Sequence, residues 1–211
     1  MTRPSPLLSL APDLAGIVRP GMATVDPVRV LEREAALDEP LHAAALRMRA
    51  AALSPEVTAA VRTMYKQVGI DPTKTRPSSE ALLRRVQRGD PLPRVNSLVD
   101  IINWCSCESQ LPFGLYDVDR IQGNVTLRIG AAGEEYAGIR KDAVHVGGRL
   151  TLADDLGPFG NPTSDSARTM VTSATTRAMV VIFAPVSVAP ATVERVLDLT
   201  LQRMRQYCAP E

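Results

Sequence analysis

The first candidates for chemistry in this sequence are polar side chains on one predicted helix. Asn96, Asp100 and Asn103 interrupt an otherwise apolar segment, and Asp100 and Asn103 stand three residues apart, which puts them on one face of a helix. The helix leads to a strand that starts near Gln110, so we expect these four residues to line a polar pocket that binds its ligand through hydrogen bonds. The alternative is structural, with Asn96 capping the helix and Asp100 pairing with an arginine.

A second polar group follows the predicted turn at residues 160–162. Asp165, Ser166, Arg168 and Thr169 fall within five residues, a composition typical of a loop rather than of a core. We expect Asp165 to face the same cleft as the polar residues of the helix. Arg168 and Thr169 are expected to contact the ligand there.

The cysteines and histidines do not indicate metal or disulfide chemistry. The sequence has three cysteines (Cys105, Cys107 and Cys208) and two histidines (His42 and His145), none with the spacing of metal ligands. An odd number of cysteines, two of them separated by one residue, does not make a conventional disulfide framework. We therefore predict buried thiols, no metal, no cofactor and a reducing, cytoplasmic compartment.

Positive charge is concentrated in one segment of a chain that is nearly neutral. The sequence has 24 Lys+Arg and 23 Asp+Glu, so bulk charge selects neither a polyanion nor a membrane surface. Within 29 residues, however, seven cations accompany only three acids: Lys66, Lys74, Arg76, Arg84, Arg85, Arg88 and Arg94, with Asp71, Glu80 and Asp90. This cluster could follow a phosphate backbone and matter more for RNA than for folding. The alternative is a solvated helix face.

The elements that would position these groups begin with helices. Helical spacing and capping residues predict several helices in the first half of the chain and one at its end. Residues Leu14 to Val18 are expected to form an early strand, and Pro40 to split residues 27–52 into two helices. The further helices are predicted from Ser54 to Gly69, from Ser78 or Ser79 as cap to Gly89, from Asn96 to Ser109 and from Ala191 to Tyr207.

Beyond Gln110 the pattern changes to short apolar runs bounded by glycine, which is typical of strands. The runs are LPFGLYDVD, NVTLRIG, the segment around His145 to Leu152, and RAMVVIFAPVSV. Helices first, strands later and a closing helix predict an α+β fold, a single domain with a mixed, mostly antiparallel sheet and helices packed on it. Residues 1–53 are expected to add a strand and helices to the main domain of residues 54–211.

The sequence has no obvious targeting or membrane segment. Pro4, Pro6, Pro12 and Asp13 break the apolar stretch at the N-terminus, which a secretory signal would not tolerate. No window approaches the ~20 apolar residues of a membrane span. Aromatic residues make up 4% of the chain, which disfavours a stacking platform for single-stranded nucleic acid. We expect a soluble protein with no membrane and no DNA partner.

Several spaced blocks together carry a resemblance to a known family. They are RPSSEALLRR, LPRVNSLVDIIN and LPFGLYDVDRI, followed by LADD, GPFGN and DSARTMVTSATTRAMVVIF. In this order they resemble the tRNA-editing module, the paired B3 and B4 domains, of the phenylalanyl-tRNA synthetase β subunit. The resemblance covers about residues 60–185, and the chain is similar to a free-standing form of that module.

The resemblance implies a trans-acting deacylase that hydrolyses mischarged aminoacyl-tRNA without a cofactor. Ester hydrolysis requires an aligned water, polar groups for the substrate ammonium and donors for the oxyanion. The catalytic candidates are Asn96, Asp100, Asn103, Gln110 and Asp165. The candidates for substrate or tRNA contact are Lys74, Arg76, Ser78, Ser79, Glu80, Arg84, Arg85, Arg88, Gly114, Arg168 and Thr169. The alternative function is a non-catalytic module that binds RNA or an amino acid, and the oligomeric state is not indicated.

Gly114 stands where the synthetase module usually carries a histidine. Loss of that side chain is expected to leave room near the pocket and to remove a polar contact. A site without a dedicated hydrogen-bond partner discriminates poorly between hydroxylated and plain side chains. We therefore predict that any deacylase activity prefers an amino acid other than tyrosine, or accepts several.

Overall fold

Strand β10 (Ala178–Pro185) runs through the core of the protein, and all eight of its residues are buried. The structure is a computed structural model that describes residues 4–50, 54–139 and 141–210. Strand β2 (Val18–Val25) pairs antiparallel with β10 along its whole length, and β3 (Phe113–Asp117) pairs antiparallel on its other side. The continuous apolar sequence of β10 suits a strand that is covered on both faces.

A second sheet packs beside this three-stranded one. Its five strands lie in the order β1-β4-β7-β8-β9, with β1 parallel to β4 and the other pairs antiparallel. A two-stranded hairpin, β5 with β6, completes the strands. The bounds are β1 Leu8–Leu10, β4 Val125–Ile129, β5 Glu135–Gly138, β6 Lys141–His145, β7 Leu150–Asp154, β8 Gly157–Asn161 and β9 Ser164–Asp165.

The described part of the chain has five α-helices. They are α1 Asp38–Ala50, α2 Pro55–Gln67, α3 Ser78–Gln87, α4 Ser97–Ser109 and α5 Pro190–Tyr207. Of these, α2, α4 and α5 contact the three-stranded sheet. Helix α4 begins at a true cap, because Asn96 Oδ1 accepts a hydrogen bond from the Val99 N–H at 2.9 Å. It ends at Gln110, which has a left-handed backbone with φ of 59°. This helix is mostly buried and forms one wall of the cleft described below.

The predicted α+β class is confirmed, and the helices predicted beyond residue 54 are present with small shifts at their ends, as are the predicted strands except one. The segment around His145 to Leu152 is not a single strand, because a turn that contains Gly148, with φ of 71°, separates the end of β6 at His145 from the start of β7 at Leu150. The expected cap at Ser78 or Ser79 is wrong, because α3 starts at Ser78 after Pro77 and has no side-chain cap. Within the described residues no helix combines the length and apolar composition that crossing a membrane requires.

Two predictions for the first 50 residues are wrong, and both involve proline. Pro40 lies in the first turn of a single helix, α1, where its missing N–H has no intrahelical partner to lose. Residues 14–18 do not form the early strand; a 3-10 turn at Pro12–Leu14 precedes β2, which starts at Val18 and continues through Pro20. Proline is tolerated there because β2 is an edge strand.

Candidate functional site

The described surface contains a cleft of about 780 Å³. Helices α3 and α4 form one wall, β3 forms the floor, and residues 161–171 after β8 form the opposite wall. This volume lies in the usual range for small-molecule sites. Its polar lining consists of Ser78, Asn96, Asn103, Ser106, Asn161, Thr163, Ser164 and Asp165, and its apolar lining of Leu82, Val95, Val99, Ile102, Phe113, Leu115, Ile139, Pro162, Ala167, Met170 and Val171.

Asp165 is the ionisable side chain among the described residues of this lining. Its Oδ1 accepts a hydrogen bond from the Tyr116 hydroxyl at 2.7 Å, and its carboxylate also accepts the Leu115 backbone N–H. Burial raises the pKa of Asp165 to about 7, although both hydrogen bonds act in the opposite direction. A carboxylate that titrates near neutrality can bind a cation or exchange a proton under physiological conditions.

Amide side chains supply neutral hydrogen-bonding groups to the same cleft. Asn96, Val99, Asn103 and Ser106 follow helical spacing along one face of α4, so the turn geometry delivers both asparagines to the lining. Asn96 therefore has both of the roles considered for it, as helix cap and as cleft residue. For Asn96, the role as helix cap therefore does not exclude a position in the pocket.

Asn161, at the end of β8, is a lining residue that sequence analysis did not select. Its Oδ1 accepts hydrogen bonds from the N–H groups of Thr163 (2.8 Å) and Ser164 (2.9 Å), which fixes the turn that leads to Asp165. The available signal was an asparagine directly before a proline and a polar run, a pattern that marks turns.

Asp100 does not face the cleft, contrary to the expectation from its spacing. Its Oδ2 lies 2.6 Å from Arg94 Nε, and its Oδ1 accepts the Val95 N–H at 2.7 Å. The side chain is fully buried in this arrangement. The structural alternative is therefore the correct one, because the arginine six residues earlier folds back onto the first turn of α4.

Gln110 is also outside the cleft. Its side-chain amide is hydrogen-bonded to Thr58 Oγ1 at 2.8 Å and to the backbone of Ser54. These contacts join the end of α4 to the start of α2, and Gln110 is not among the lining residues of the cleft. The reason is the left-handed turn at Gln110, which reverses the chain before β3 begins.

Arg168 and Thr169 follow Asp165 but do not line the cleft. The guanidinium of Arg168 makes two hydrogen bonds of 2.9 Å to the Asp154 carboxylate on β7 and stacks over the Phe159 ring. Thr169 is fully buried, and its hydroxyl has no hydrogen-bond partner within the described residues. Residues 167–169 form a turn after β9, and Arg168 contacts Asp154 on β7 while Asp165 lines the cleft.

Helix α3 divides its polar residues between the cleft, the interior and solvent. Ser78 lines the cleft, whereas Ser79 is buried away from it. Glu80 is also buried, and its carboxylate lies 2.9 Å from Arg62, 3.0 Å from Arg84 and 3.7 Å from Arg76. Glu80 is therefore an anchor for arginines rather than a residue exposed to a ligand.

The predicted basic cluster is only partly available to a partner. Arg94 is occupied by Asp100 and Asp38, and Arg85 Nε donates a hydrogen bond to the Pro91 carbonyl at 2.8 Å. Lys74 and Arg88 remain exposed, and Arg88 has only a long contact of 3.9 Å with Asp90.

The sequence led us to expect open space beside the cleft at Gly114, but that space is filled in the structure. A Cβ atom at this position would lie 2.2 Å from the Tyr116 hydroxyl, so the tyrosine already fills the volume. Tyr116 escaped sequence analysis, although its position two residues after Gly114 puts both on the same face of β3.

Neither metal ligands nor reactive thiols are found at the cleft. Within residues 4–50, 54–139 and 141–210, no three His, Cys, Asp or Glu side chains come together as a metal site. Cys105, Cys107 and Cys208 are buried free thiols, and burial raises the pKa of each. A raised thiol pKa makes a poor nucleophile at neutral pH.

Comparisons with known proteins agree with this architecture. A stretch of 83 residues, 39% of the chain, is 34% identical to the phenylalanine–tRNA ligase β subunit of Fusobacterium nucleatum subsp. nucleatum and covers 10% of that subunit. In structure, 95% of the chain matches 48% of an N-terminal fragment of the phenylalanyl-tRNA synthetase β subunit from Pyrococcus horikoshii, with a TM-score of 0.50 and 12% identity. That likeness concerns the fold alone. Residues 60–208 match the B3/4 domain, which confirms the resemblance noted in the sequence, and the chain belongs to the B3/4 domain family.

Proposed function

We propose that this protein is a trans-acting deacylase that hydrolyses the ester bond of mischarged aminoacyl-tRNA. The observation that carries the proposal is Asp165, a carboxylate with a pKa of about 7 in a cleft whose other described lining is neutral. An aminoacyl ester carries an ammonium group beside the ester carbonyl. A single carboxylate in a largely apolar cleft suits that combination of one cation and one side chain.

The chemistry asks little of the protein beyond positioning. Asp165 pairs with the substrate ammonium, and the amides of Asn103 and Asn161 donate hydrogen bonds to the ester carbonyl or the ribose hydroxyls. Water attacks the carbonyl carbon, the ester C–O bond breaks, and the ribose oxygen leaves with a proton. An ester is reactive enough that orientation and oxyanion stabilisation supply the catalysis without a protein nucleophile.

The proposed tRNA contact is the exposed basic surface at α3, which includes Lys74 in the turn before the helix and Arg88 at its C-cap. The same helix gives Ser78 and Leu82 to the cleft, so cations on its outer side would lie next to the nucleic acid that delivers the ester. Among the exposed cations of the cluster, Lys74 and Arg88 are the candidates because neither has an ion pair closer than 3.9 Å within the described residues, and phosphate contacts of this kind are independent of sequence. The stretch that is 34% identical to a phenylalanine–tRNA ligase β subunit supports tRNA as the partner.

The test is the release of amino acid from a panel of mischarged tRNAs. The wild-type protein should accelerate hydrolysis of at least one ester over buffer, and Asp165→Asn should abolish most of that acceleration. Asp198→Asn is the matched control, because Asp198 is exposed on α5 and outside the cleft. Binding of tRNA without hydrolysis of any ester would support the alternative of a non-catalytic module.

A further inference from the structure

The hydroxyl of Tyr116 occupies a narrow slot between two strands. Tyr116 is fully buried and packs edge-to-face on Phe159, with ring centroids 5.0 Å apart. Gly114 on β3 and Gly160 on β8 flank its hydroxyl. A Cβ atom would lie 2.2 Å from that oxygen at Gly114 and 2.3 Å from it at Gly160. The slot therefore exists only because both positions lack a side chain.

Neither glycine is required by its backbone. The described glycines with positive φ do not include Gly114 or Gly160. Glycine inside a strand is unfavourable compared with residues that have a side chain. The two glycines thus make room for both the hydroxyl and the ring of Tyr116, since a Cβ at either position would also lie 2.7 Å from carbons of that ring.

We propose that Tyr116 is a positioning residue, held in the Gly114–Gly160 slot so that its hydroxyl fixes the Asp165 carboxylate towards the cleft. This inference rests on the proposed function for its role in catalysis but not for its geometry. The hydroxyl donates to Asp165 Oδ1 at 2.7 Å, and the Leu115 N–H gives the carboxylate a second bond. Two donors from adjacent residues of β3 leave the carboxylate little freedom to rotate.

The hydrogen bond also determines how readily Asp165 ionises. Tyr116 lowers the pKa of Asp165 against the effect of burial, while burial and the charge of Asp165 keep the Tyr116 hydroxyl protonated by raising its pKa. The other titratable side chain facing this pair is Tyr136 of β5, whose hydroxyl donates to the Ser164 carbonyl at 2.5 Å. Helices α3 and α4 contribute only neutral side chains to the described lining, so no cation there competes with Tyr116.

The test is the pH titration of Asp165, monitored by NMR in protein that contains carbon-13-labelled aspartate. Asp165→Asn identifies the resonance. Tyr116→Phe should move the midpoint about one pH unit above the wild-type value, because a hydrogen bond to a charged group is lost. The ionised fraction at pH 7 then falls about fivefold. Gly160→Ala should act in the same direction by displacing the hydroxyl.

Tyr136→Phe is the matched control, since it removes a neighbouring phenol oxygen that bonds to a carbonyl instead of Asp165. Equal shifts in both phenylalanine variants, or none in Tyr116→Phe, would overturn the proposal. The wild type gives an independent reading, because the Tyr116 Cζ resonance must follow the same midpoint as Asp165. A Cζ resonance insensitive to that titration would refute the hydrogen bond itself.

The two proposals fail separately. A protein that hydrolyses no ester still reports the Asp165 titration, so loss of the proposed function leaves this test intact. If an ester is hydrolysed, the midpoint of the acid limb of its pH–rate profile should move to higher pH in Tyr116→Phe, by the same number of pH units as the NMR midpoint. A uniform loss of rate with an unchanged profile would assign Tyr116 to packing alone.

Discussion

Asp165 lowers the stability of the folded protein when it is ionised. Its pKa is raised from 3.8 to about 7, so between these values the folded protein holds a proton that the unfolded chain has lost. The free energy of unfolding therefore decreases as pH rises through this window and stays low above it. Over the whole window the decrease attributable to this residue is up to about 4 kcal/mol.

The first prediction compares the stability of Asp165→Asn with that of the wild type at several pH values. The variant does not ionise, so its advantage in unfolding free energy should grow from pH 4 to pH 7 and then level off. Urea unfolding at fixed ionic strength measures the difference at each pH. A difference that is constant with pH would show that Asp165 titrates alike in the folded and unfolded states.

Gly114 and Tyr116 lead to a second prediction, which concerns the amino acid whose ester is hydrolysed. The position where the synthetase module has a histidine is filled by the Tyr116 ring, since a Cβ at Gly114 would meet its hydroxyl at 2.2 Å. That hydroxyl is directed to Asp165 and does not line the cleft. We expect hydrolysis of tyrosine on phenylalanine tRNA to be no faster than that of small aliphatic or hydroxylated amino acids on their near-cognate tRNAs. A clear preference for the tyrosine ester would mean that another residue reads its hydroxyl.

At these positions the sequence shows which residues are polar, but it does not give the direction in which each side chain points. Spacing placed Asn96 and Asn103 on the face of α4 that lines the cleft, and it selected Asp165 among polar neighbours. Spacing did not distinguish Asp100 from the two asparagines of the cleft, because its partner Arg94 lies on a turn whose course depends on tertiary packing. Tyr116 was missed because an aromatic residue in an apolar strand gives no sign of a hydrogen bond across two sheets.

Among the elements, α3 combines a structural ion cluster with an exposed basic surface. Glu80 is buried, and Arg84 compensates its charge from the next turn, while Arg62 approaches from α2. Replacing Arg84 by an acid would bring a second carboxylate to a buried one. The sequence led us to expect that the basic cluster matters more for RNA than for folding, whereas its contact with buried Glu80 gives Arg84 a structural role.

The third prediction separates folding from RNA binding on α3. Arg84→Glu should lower the free energy of unfolding by about 1–2 kcal/mol, because a second carboxylate would approach buried Glu80 while the exposure of position 84 screens part of the repulsion. Lys74→Glu with Arg88→Glu should leave the melting temperature nearly unchanged. The double variant should weaken tRNA binding and reduce the slope of log affinity against log salt by about two.

Arg205→Glu is the control for this comparison, since Arg205 is exposed near the end of α5 and away from the cleft. It should affect neither the salt dependence nor the stability. If the double variant binds tRNA like the wild type at low salt, where screening is weakest, then the exposed side of α3 is a solvated face only.

Helices and strands were predicted correctly where the apolar pattern in the sequence extended over many residues. Helices α2, α4 and α5 have full apolar stripes and recognisable ends, and β10 is a continuous apolar run. Strands β8 and β9 were not predicted as strands, because GPFGN contains four turn-forming residues and Ser164–Asp165 is too short for a pattern. These two strands acquire their conformation from pairing with β7 and with each other, which is a tertiary effect.

For the molecule as a whole, the first 50 residues are tied to the core through β2. This strand pairs with all eight residues of β10, and α5 packs so closely on it that a Cβ at Gly21 would lie 2.8 Å from Val193. The matched family segment begins only at residue 60, yet the strand at the centre of the core has one of its two neighbours before that point. We therefore expect residues 1–53 and 54–211 to unfold together.

The fourth prediction tests this dependence by truncation. A chain of residues 54–211 should lack a cooperative thermal transition, because β10 loses its partner along one edge and α5 loses the surface beneath Val193. A chain that starts at Pro12 is the matched control, since it removes only the three-residue edge strand β1 and keeps β2. It should remain cooperative, with a lower melting temperature because β4 becomes an exposed edge. Near-ultraviolet circular dichroism and calorimetry measure both outcomes. A cooperative transition in the 54–211 chain would show that β10 is stable with β3 and the helices alone, and that residues 1–53 pack on a core that is already complete.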